Sequence, residues 1–255
     1  ETLCRSMEAG TETGMAKLSV NINKIATLRN SRGGDEPNLM KFAHRIVSLG
    51  VDGITVHPRA DRRHITPEDA RAVAREIKTV ETNFEGDVRE EFLDLVLECR
   101  PTQCTLVPVK PGEVTSNHGW DVRRWAFLLS PVIARLKQEG IRVSLFVEAG
   151  DLESVRETAA IGGDRIEIYT EPYADAFRLG GLEAELAKVV RSAEEARRLG
   201  IGVNAGHDLT HENLPLLVEK VPNLAEVSIG HHLMSRALDV GMDRAVGDYL
   251  RAARG

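Results

Sequence analysis

Aromatic side chains are scarce in this chain: Phe, Trp and Tyr make up 4% of its 255 residues. That leaves too few ring faces for the stacking platforms of single-stranded nucleic-acid binders. Positive charge is also in deficit. Thirty-three Lys and Arg against 39 Asp and Glu give a formal net charge of −6, which argues against general binding to a phosphate backbone. Cysteine is limited to Cys4, Cys99 and Cys104, an odd number without metal-finger spacing. No disulfide framework is expected, and a reducing, cytoplasmic setting suits the composition. No apolar run is long enough for a membrane span, and no signal-type apolar segment or Asn-x-Ser/Thr sequon is found.

What remains is ordinary globular composition, 42% hydrophobic and 28% charged, enough for a large core. The length suits one closed α/β barrel, which takes about 250 residues. Residues 1–14 have no periodic pattern and read as an N-terminal extension or cloning remnant ahead of Met15, so one domain is expected over 15–255.

Along the chain, short apolar runs alternate with amphipathic segments. Leu18–Ile22 is a first strand, with Asn21, Asn23 and Lys24 around its end; Arg29–Asn38 (RNSRGGDEPN) reads as a basic, glycine-bearing loop. Leu39, Phe42, Ala43, Ile46, Val47 and Leu49 have helical spacing, closed by Gly50. Ile54–Val56 is a second strand, and after it Thr66 and Pro67 predict the N-cap and first residue of a helix. Further strands are predicted at Thr82–Phe84, Thr105–Val107, Arg142–Val147, Arg165–Ile168, Gly202–Asn204 and Val227–Ile229. Helices are predicted at Glu90–Cys99, Asp121–Glu139, Leu152–Ile161, Glu183–Leu199, Leu214–Val221 and from about Met242. The connection before Glu183 reads as extended, and GHHLMSRALDVG (Gly230–Gly241) is left without an element. Eight strand–helix units predict a (β/α)8 barrel of the TIM type, with a doubly wound open sheet as the alternative.

In a closed barrel the C-terminal strand ends share one mouth, where barrel enzymes place their chemistry. That brings together Asn21, Asn23 and Lys24, then His57 and Arg59, then Glu85, Lys110 and Thr115, then Glu167, His207 and Gly230-His231. The loop Gly53–Thr66 (GITVHPRADRRHIT) packs three arginines and two histidines beside an apolar strand end, a composition suited to handling anions. AGHDL (Ala205–Leu209) and IGHHL (Ile229–Leu233) place a glycine directly after strands seven and eight, the usual phosphate-binding positions of this fold. His207 and His211 stand i, i+4, but in a loop and with no glutamate following His207, so no metal is expected. Lys24 or Lys110 could form a Schiff base in an aldolase-like barrel, though neither lies in an apolar stretch that would lower its pKa. A non-catalytic sugar-phosphate sensor is the alternative from another class. His44, His118 and His232 read as surface or packing residues, and Trp120 and Trp125 as helix packing.

Taken in series, VNINKIATLRNSRG, GITVHPRADRRHIT, NFE at Asn83–Glu85, LVPVKPGEVTSNHGWD, VSLFVEA, IEIYTEPYAD, VNAGHDLT and IGHHLMSRA resemble the pyridoxine 5′-phosphate synthase family from about Leu18 onward. The resemblance implies a (β/α)8 barrel with extra helices, assembled as a homo-octamer. It implies condensation of 1-deoxy-D-xylulose 5-phosphate with 3-amino-2-oxopropyl phosphate, without metal or organic cofactor. By the same resemblance His57 and Glu85 match proton acceptors, His207 a proton donor, and Glu167 a carboxylate that stabilises a transition state. Asn21, Arg32, Asp208, Gly230 and His231 match positions holding the aminoketone phosphate; Asn23, Lys24, Arg59, His64 and Thr115 match positions holding the deoxyxylulose phosphate. Arg32, on the basic loop, is expected to act across a subunit boundary. Two departures stand out. Asn23-Lys24 replaces the Asp-His of the best-known members, and Asp208 stands where glycine is common, its side chain expected to point away.

Overall fold

The strands β1 (Lys17–Asn21), β2 (Gly53–Val56), β3 (Glu81–Gly86), β4 (Gln103–Leu106), β5 (Arg142–Glu148), β6 (Arg165–Tyr169), β7 (Gly202–Gly206) and β8 (Leu224–Ile229) pair in sequence order. All pairings are parallel, and β8 returns to β1 through Lys17↔Glu226 to Val20↔Ile229, closing the barrel. This computed structural model describes residues 15–109 and 117–255. The open doubly wound sheet is thereby excluded, and the barrel predicted from the alternation is the fold.

The strands alternate as the pleat requires, but the apolar side faces outward. Leu18, Val20, Ile54, Val56, Phe84, Leu106, Leu145, Val147, Ile166, Ile168, Val203 and Val227 are fully buried against the surrounding helices. Burial of each such side chain contributes roughly 1.5–3 kcal/mol. The inward-facing set is polar and hydrogen-bonded to itself. Ser19 bonds Thr55 at 2.7 Å, Thr105 donates to Asn83 at 3.1 Å, and Gln103 donates to Glu226 at 3.4 Å. Arg165 donates to Asn204 at 2.9 Å. Polar groups out of water need partners, and the barrel interior supplies them from strand to strand.

Eleven helices are found among the described residues: α1 (Asn23–Arg32), α2 (Leu39–Ser48), α3 (Pro67–Glu76), α4 (Glu90–Cys99), α5 (Val122–Gln138), α6 (Leu152–Ala160), α7 (Glu171–Leu179), α8 (Leu182–Leu199), α9 (Leu214–Lys220), α10 (His231–Val240) and α11 (Met242–Arg254). The N-cap read at Thr66 is present and completed as a capping box, Thr66 Oγ1 accepting from Asp69 N–H while the Asp69 carboxylate accepts from Thr66 N–H. None of the described helices is long and apolar enough to cross a membrane.

Three expectations are corrected. The basic loop does not begin at Arg29, because α1 continues to Arg32. Its polar sequence hides the helix, which buries only Ile25, Ala26 and Arg29. Arg29 is held there by a bidentate bond to Asp69, both contacts 2.7 Å. The connection after β6 is not extended, since Glu171–Leu179 forms α7 with Pro172 in its first turn. The stretch after β8 is also helical, with His231 opening α10 directly behind Gly230.

Candidate active site

The C-terminal mouth of the barrel holds a cavity of about 550 Å³. Four ionisable groups reach it from four strands: His57 just beyond β2, Glu85 in β3 and Glu167 in β6, all buried, and His207, half-buried, just beyond β7. Glu85 accepts from the Asn21 side-chain amide and from the Ser228 hydroxyl, each at 3.3 Å. His57 Nδ1 stands 3.8 Å from Glu85 Oε2, neighbours but beyond hydrogen-bond length. Glu167 accepts from Thr105 Oγ1 at 3.4 Å.

Burial governs the protonation of all four. It pushes the Glu85 carboxyl up to about 7, against the Ser228 hydrogen bond, with the charge of Glu226 adding to the rise. Glu167 is raised well above the usual carboxylate range by burial and by the charges of Glu85 and Glu226. Burial lowers His57 well below the ordinary imidazole value, helped by His64, Arg59, Arg89 and His207. His207 is lowered by burial too, against the pull of Asp208. At neutral pH the set is therefore two neutral imidazoles, one carboxyl close to half-titrated and a second, Glu167, shifted toward its acid form. Among the described residues, His57 Nε2 and His207 Nδ1 are buried without a hydrogen-bond partner. Such groups are costly in a folded protein unless a ligand is their partner.

His207 is fixed by packing. Its ring lies 4.9 Å from Phe146 and 5.5 Å from Tyr169, centroid to centroid, and its backbone adopts φ 81°. Thr170 Oγ1 donates to the His207 carbonyl at 2.7 Å. His211 is turned elsewhere, against Tyr249 at 6.0 Å, so the two histidines do not converge.

One side of the cavity is basic. Lys24 lies exposed in the first turn of α1, and Arg59, Arg63 and His64 come from the loop after β2. His64 is lowered to about 4 by burial and by Arg59, and its Nδ1 accepts from Ile65 N–H at 2.9 Å, leaving Nε2 to carry the proton. Asn30 Nδ2 donates to the His64 carbonyl at 2.7 Å, so α1 braces this loop. Glu171 and Asp208, close enough to feel each other's charge, bring negative charge to the lining.

Asn21, Asn23, Gly230 and His231 complete the lining, as expected from the strand ends. Arg32 is not among it; it is the exposed last residue of α1 rather than part of a loop over the site. Thr115 and Lys110 lie outside the described residues. Asp208 does not point away, because its carboxylate meets His232 Nε2 at 3.1 Å. His232, read from sequence as packing, lines the cavity. Glu171 and Ser228 were also missed. Glu171 directly follows the residue after β6, and the strand-end rule applied to α7 would have found it.

The two glycines after β7 and β8 have steric reasons beyond any ligand. A Cβ on Gly206 would stand 2.6 Å from Glu167 Oε1, and one on Gly230 would stand 3.0 Å from Asn21 Cβ. Both keep neighbouring site residues in place.

Fold and site together define a (β/α)8-barrel enzyme that gathers acid–base groups beside a cluster of cations at one mouth. Residues 18–255 match the family described as "Pyridoxal phosphate biosynthesis protein PdxJ", and the chain belongs to it. A pyridoxine 5′-phosphate synthase of Bacteroides thetaiotaomicron is 50% identical over 240 residues, covering 94% of this chain and 100% of that protein. One of Flavobacterium johnsoniae is 48% identical over 237 residues, covering 93% and 99%. Among solved structures, a 3-keto-L-gulonate-6-phosphate decarboxylase of Vibrio cholerae superposes with TM-score 0.63 at 10% identity, covering 94% of this chain and 97% of that one, a likeness of fold alone.

Proposed function

We propose that this chain is a pyridoxine 5′-phosphate synthase, a transferase that condenses 1-deoxy-D-xylulose 5-phosphate with 3-amino-2-oxopropyl phosphate and closes the pyridine ring. The observation that carries the reading is the convergence of buried His57, Glu85 and Glu167 and half-buried His207 on one cavity with cations along one wall. Family membership supplies the substrates.

The amine of the aminoketone attacks the ketone of the sugar phosphate, and each later loss of water or phosphate needs a proton moved. Glu85 near half-titration is matched to accept and return protons at neutral pH. Neutral His57 is a base whose Nε2 is available, and Glu85 stands beside its other nitrogen. Glu167, its carboxyl pushed toward the acid form by burial, can in that form donate a hydrogen bond to an oxygen that gains charge. His207 is neutral in the open cavity; a phosphate dianion nearby offsets its burial and favours the protonated donor form. Lys24, Arg59 and His64 are assigned to the sugar phosphate, and Asn21, Gly230 and His231 to the aminoketone phosphate. Asn23 joins the first group through the backbone it holds and Thr115 through the resemblance; Arg32 and Asp208 join the second group, also through the resemblance. We further propose a cytoplasmic homo-octamer, in which exposed Arg32 has a place to act on a neighbouring subunit.

The test is release of inorganic phosphate together with formation of pyridoxine phosphate absorbance, with both substrates and with each alone. Product with both only, lost in Glu85→Gln, is the expected result. Borohydride trapping of substrate on Lys24 would instead favour an aldolase-like reaction, and binding without turnover a sensor.

A further inference from the structure

After Gly206 the chain passes through His207 at φ 81° and Asp208 at φ 58°, two successive non-glycine residues in left-handed conformation. That backbone is unfavourable for side chains with a Cβ and persists only where its surroundings hold it. Here the hold is specific. Asn213 Nδ2 donates to the Asp208 carbonyl at 3.4 Å, and the Asp208 carboxylate meets His232 Nε2 at 3.1 Å. His232 is the second residue of α10, one position past His231, and the two imidazoles lie 5.2 Å apart.

The charges explain why an imidazole belongs there. Asp208 and Glu171 both line the cavity, and the charge of Asp208 is felt at Glu171, whose carboxyl burial and Asp208 together push upward. Two uncompensated carboxylates at the end of the cavity where α10 begins would repel an anion. With Nε2–H given to Asp208, one negative charge is engaged and Nδ1 is the nitrogen left for a ligand. The ring then stands between the carboxylate and a phosphate oxygen and can bond to both.

We propose that His232, oriented by the Asp208 carboxylate, is a further phosphate-binding residue of this site, adding a side-chain donor to the first-turn N–H groups of α10. The inference rests on the reading that the cavity takes phosphorylated substrates. It assigns Asp208 as a positioning residue through its side chain.

The sign of the Asp208 effect separates this from the simpler alternative. If Asp208 positions His232, Asp208→Gly, which removes the acceptor and suits the φ of 58°, weakens phosphate binding; if it is only a nearby negative charge, the same change tightens it. We would titrate inorganic phosphate calorimetrically into the protein and its Asp208→Gly, His232→Ala, His232→Gln and Asp208→Gly/His232→Ala variants. KM and kcat would be measured for each substrate alongside. His232→Ala is expected to weaken phosphate about 10-fold or more, the loss of one charge-assisted hydrogen bond. KM for the aminoketone phosphate should rise in parallel while kcat changes far less. His232→Gln, which keeps a donor toward Asp208 but no charge, should fall between, and the double variant should bind no worse than His232→Ala alone. Tighter phosphate binding in Asp208→Gly, or unchanged binding in His232→Ala, overturns the proposal, as does wild-type protein that binds no phosphate. A wild-type protein that binds phosphate with this variant pattern but makes no product keeps the proposal and removes the synthase reading instead.

Discussion

The side-chain carbonyl of Asn23 accepts the backbone N–H of His57 at 3.0 Å, tying the first turn of α1 to the residue that opens the loop after β2. Asn23 N–H in turn donates to Asn21 Oδ1 at 3.0 Å, and Asn21 donates to Glu85. One chain of hydrogen bonds thus runs from His57 to Glu85 through the asparagines that end β1 and open α1. The departure from Asp to Asn at this position keeps the oxygen that does this work. Asn23→Ala leaves a buried N–H without its acceptor, at a cost of roughly 1–3 kcal/mol. We expect kcat/KM to fall about tenfold through misplacement of His57, and Asn23→Asp, which retains the acceptor, to recover most of it. Steady-state rates of the three proteins check this.

Gly206 bears on the site through space alone. A methyl group there would meet Glu167 Oε1 at 2.6 Å and the Ser228 carbonyl at 3.3 Å, and the latter is backbone. Gly206→Ala should destabilise by about 1–3 kcal/mol, the usual cost of overpacking, and lower activity by displacing Glu167. Adding Glu167→Ala should recover part of the stability and none of the activity. Thermal melts of the two variants, read as a double-mutant cycle, would show the coupling.

The barrel was legible because its strand–helix alternation repeats eight times, and the site because strand ends in such a barrel share a mouth. What escaped notice did so for physical reasons. α1 is a helix with almost no apolar stripe, stabilised by the Arg29–Asp69 pair, and a partner 40 residues away leaves no periodicity to read. α10 was hidden behind Gly230, which reads as a turn yet serves as the residue ahead of the helix. The side-chain bond of Asp208 to His232 joins two loops, and neither loop alone suggests it. The polar barrel interior was the larger oversight, since Ser19, Thr55, Asn83, Gln103 and Thr105 alternate with apolar residues at the period of a strand with two different faces.

The Arg29–Asp69 pair also makes a stability prediction. Both side chains are mostly buried, with 11% and 14% exposed, and Asp69 also completes the cap of α3. Removing one member strands the other's charge, so Arg29→Met should cost about 3 kcal/mol or more. Arg29→Lys keeps the charge but not the two-pronged geometry and should lose less. Denaturant midpoints would rank them. Because α1 carries Asn23 and Lys24, kcat/KM should fall in the same order.

Glu85 links rate and stability through one proton. Its carboxyl is raised by burial from an ordinary value of 4.5 to about 7, so the folded protein holds this proton more tightly than the unfolded chain does. Its contribution to stability is fully present below pH 4.5 and is lost as pH rises through 7. At about 1.4 kcal/mol per pKa unit, the loss above pH 7 is at most about 3 kcal/mol. Glu85→Gln does not titrate, so it should gain on the wild type from pH 4.5 to about 7 and hold a constant advantage above that. Catalysis runs the other way. The ionised form is the proton acceptor, so the acid limb of kcat/KM should lie near pH 7, whereas a limb set by His57 would lie well below its ordinary 6.5. Glu85→Gln should cost about 10²–10⁴ in rate and remove that limb from what activity remains. A variant slower than wild type yet harder to unfold at pH 8 is the expected pairing. An equally stable or weaker Glu85→Gln at that pH, with the acid limb unmoved, would show that burial of this carboxyl does not set the proton's place in the reaction.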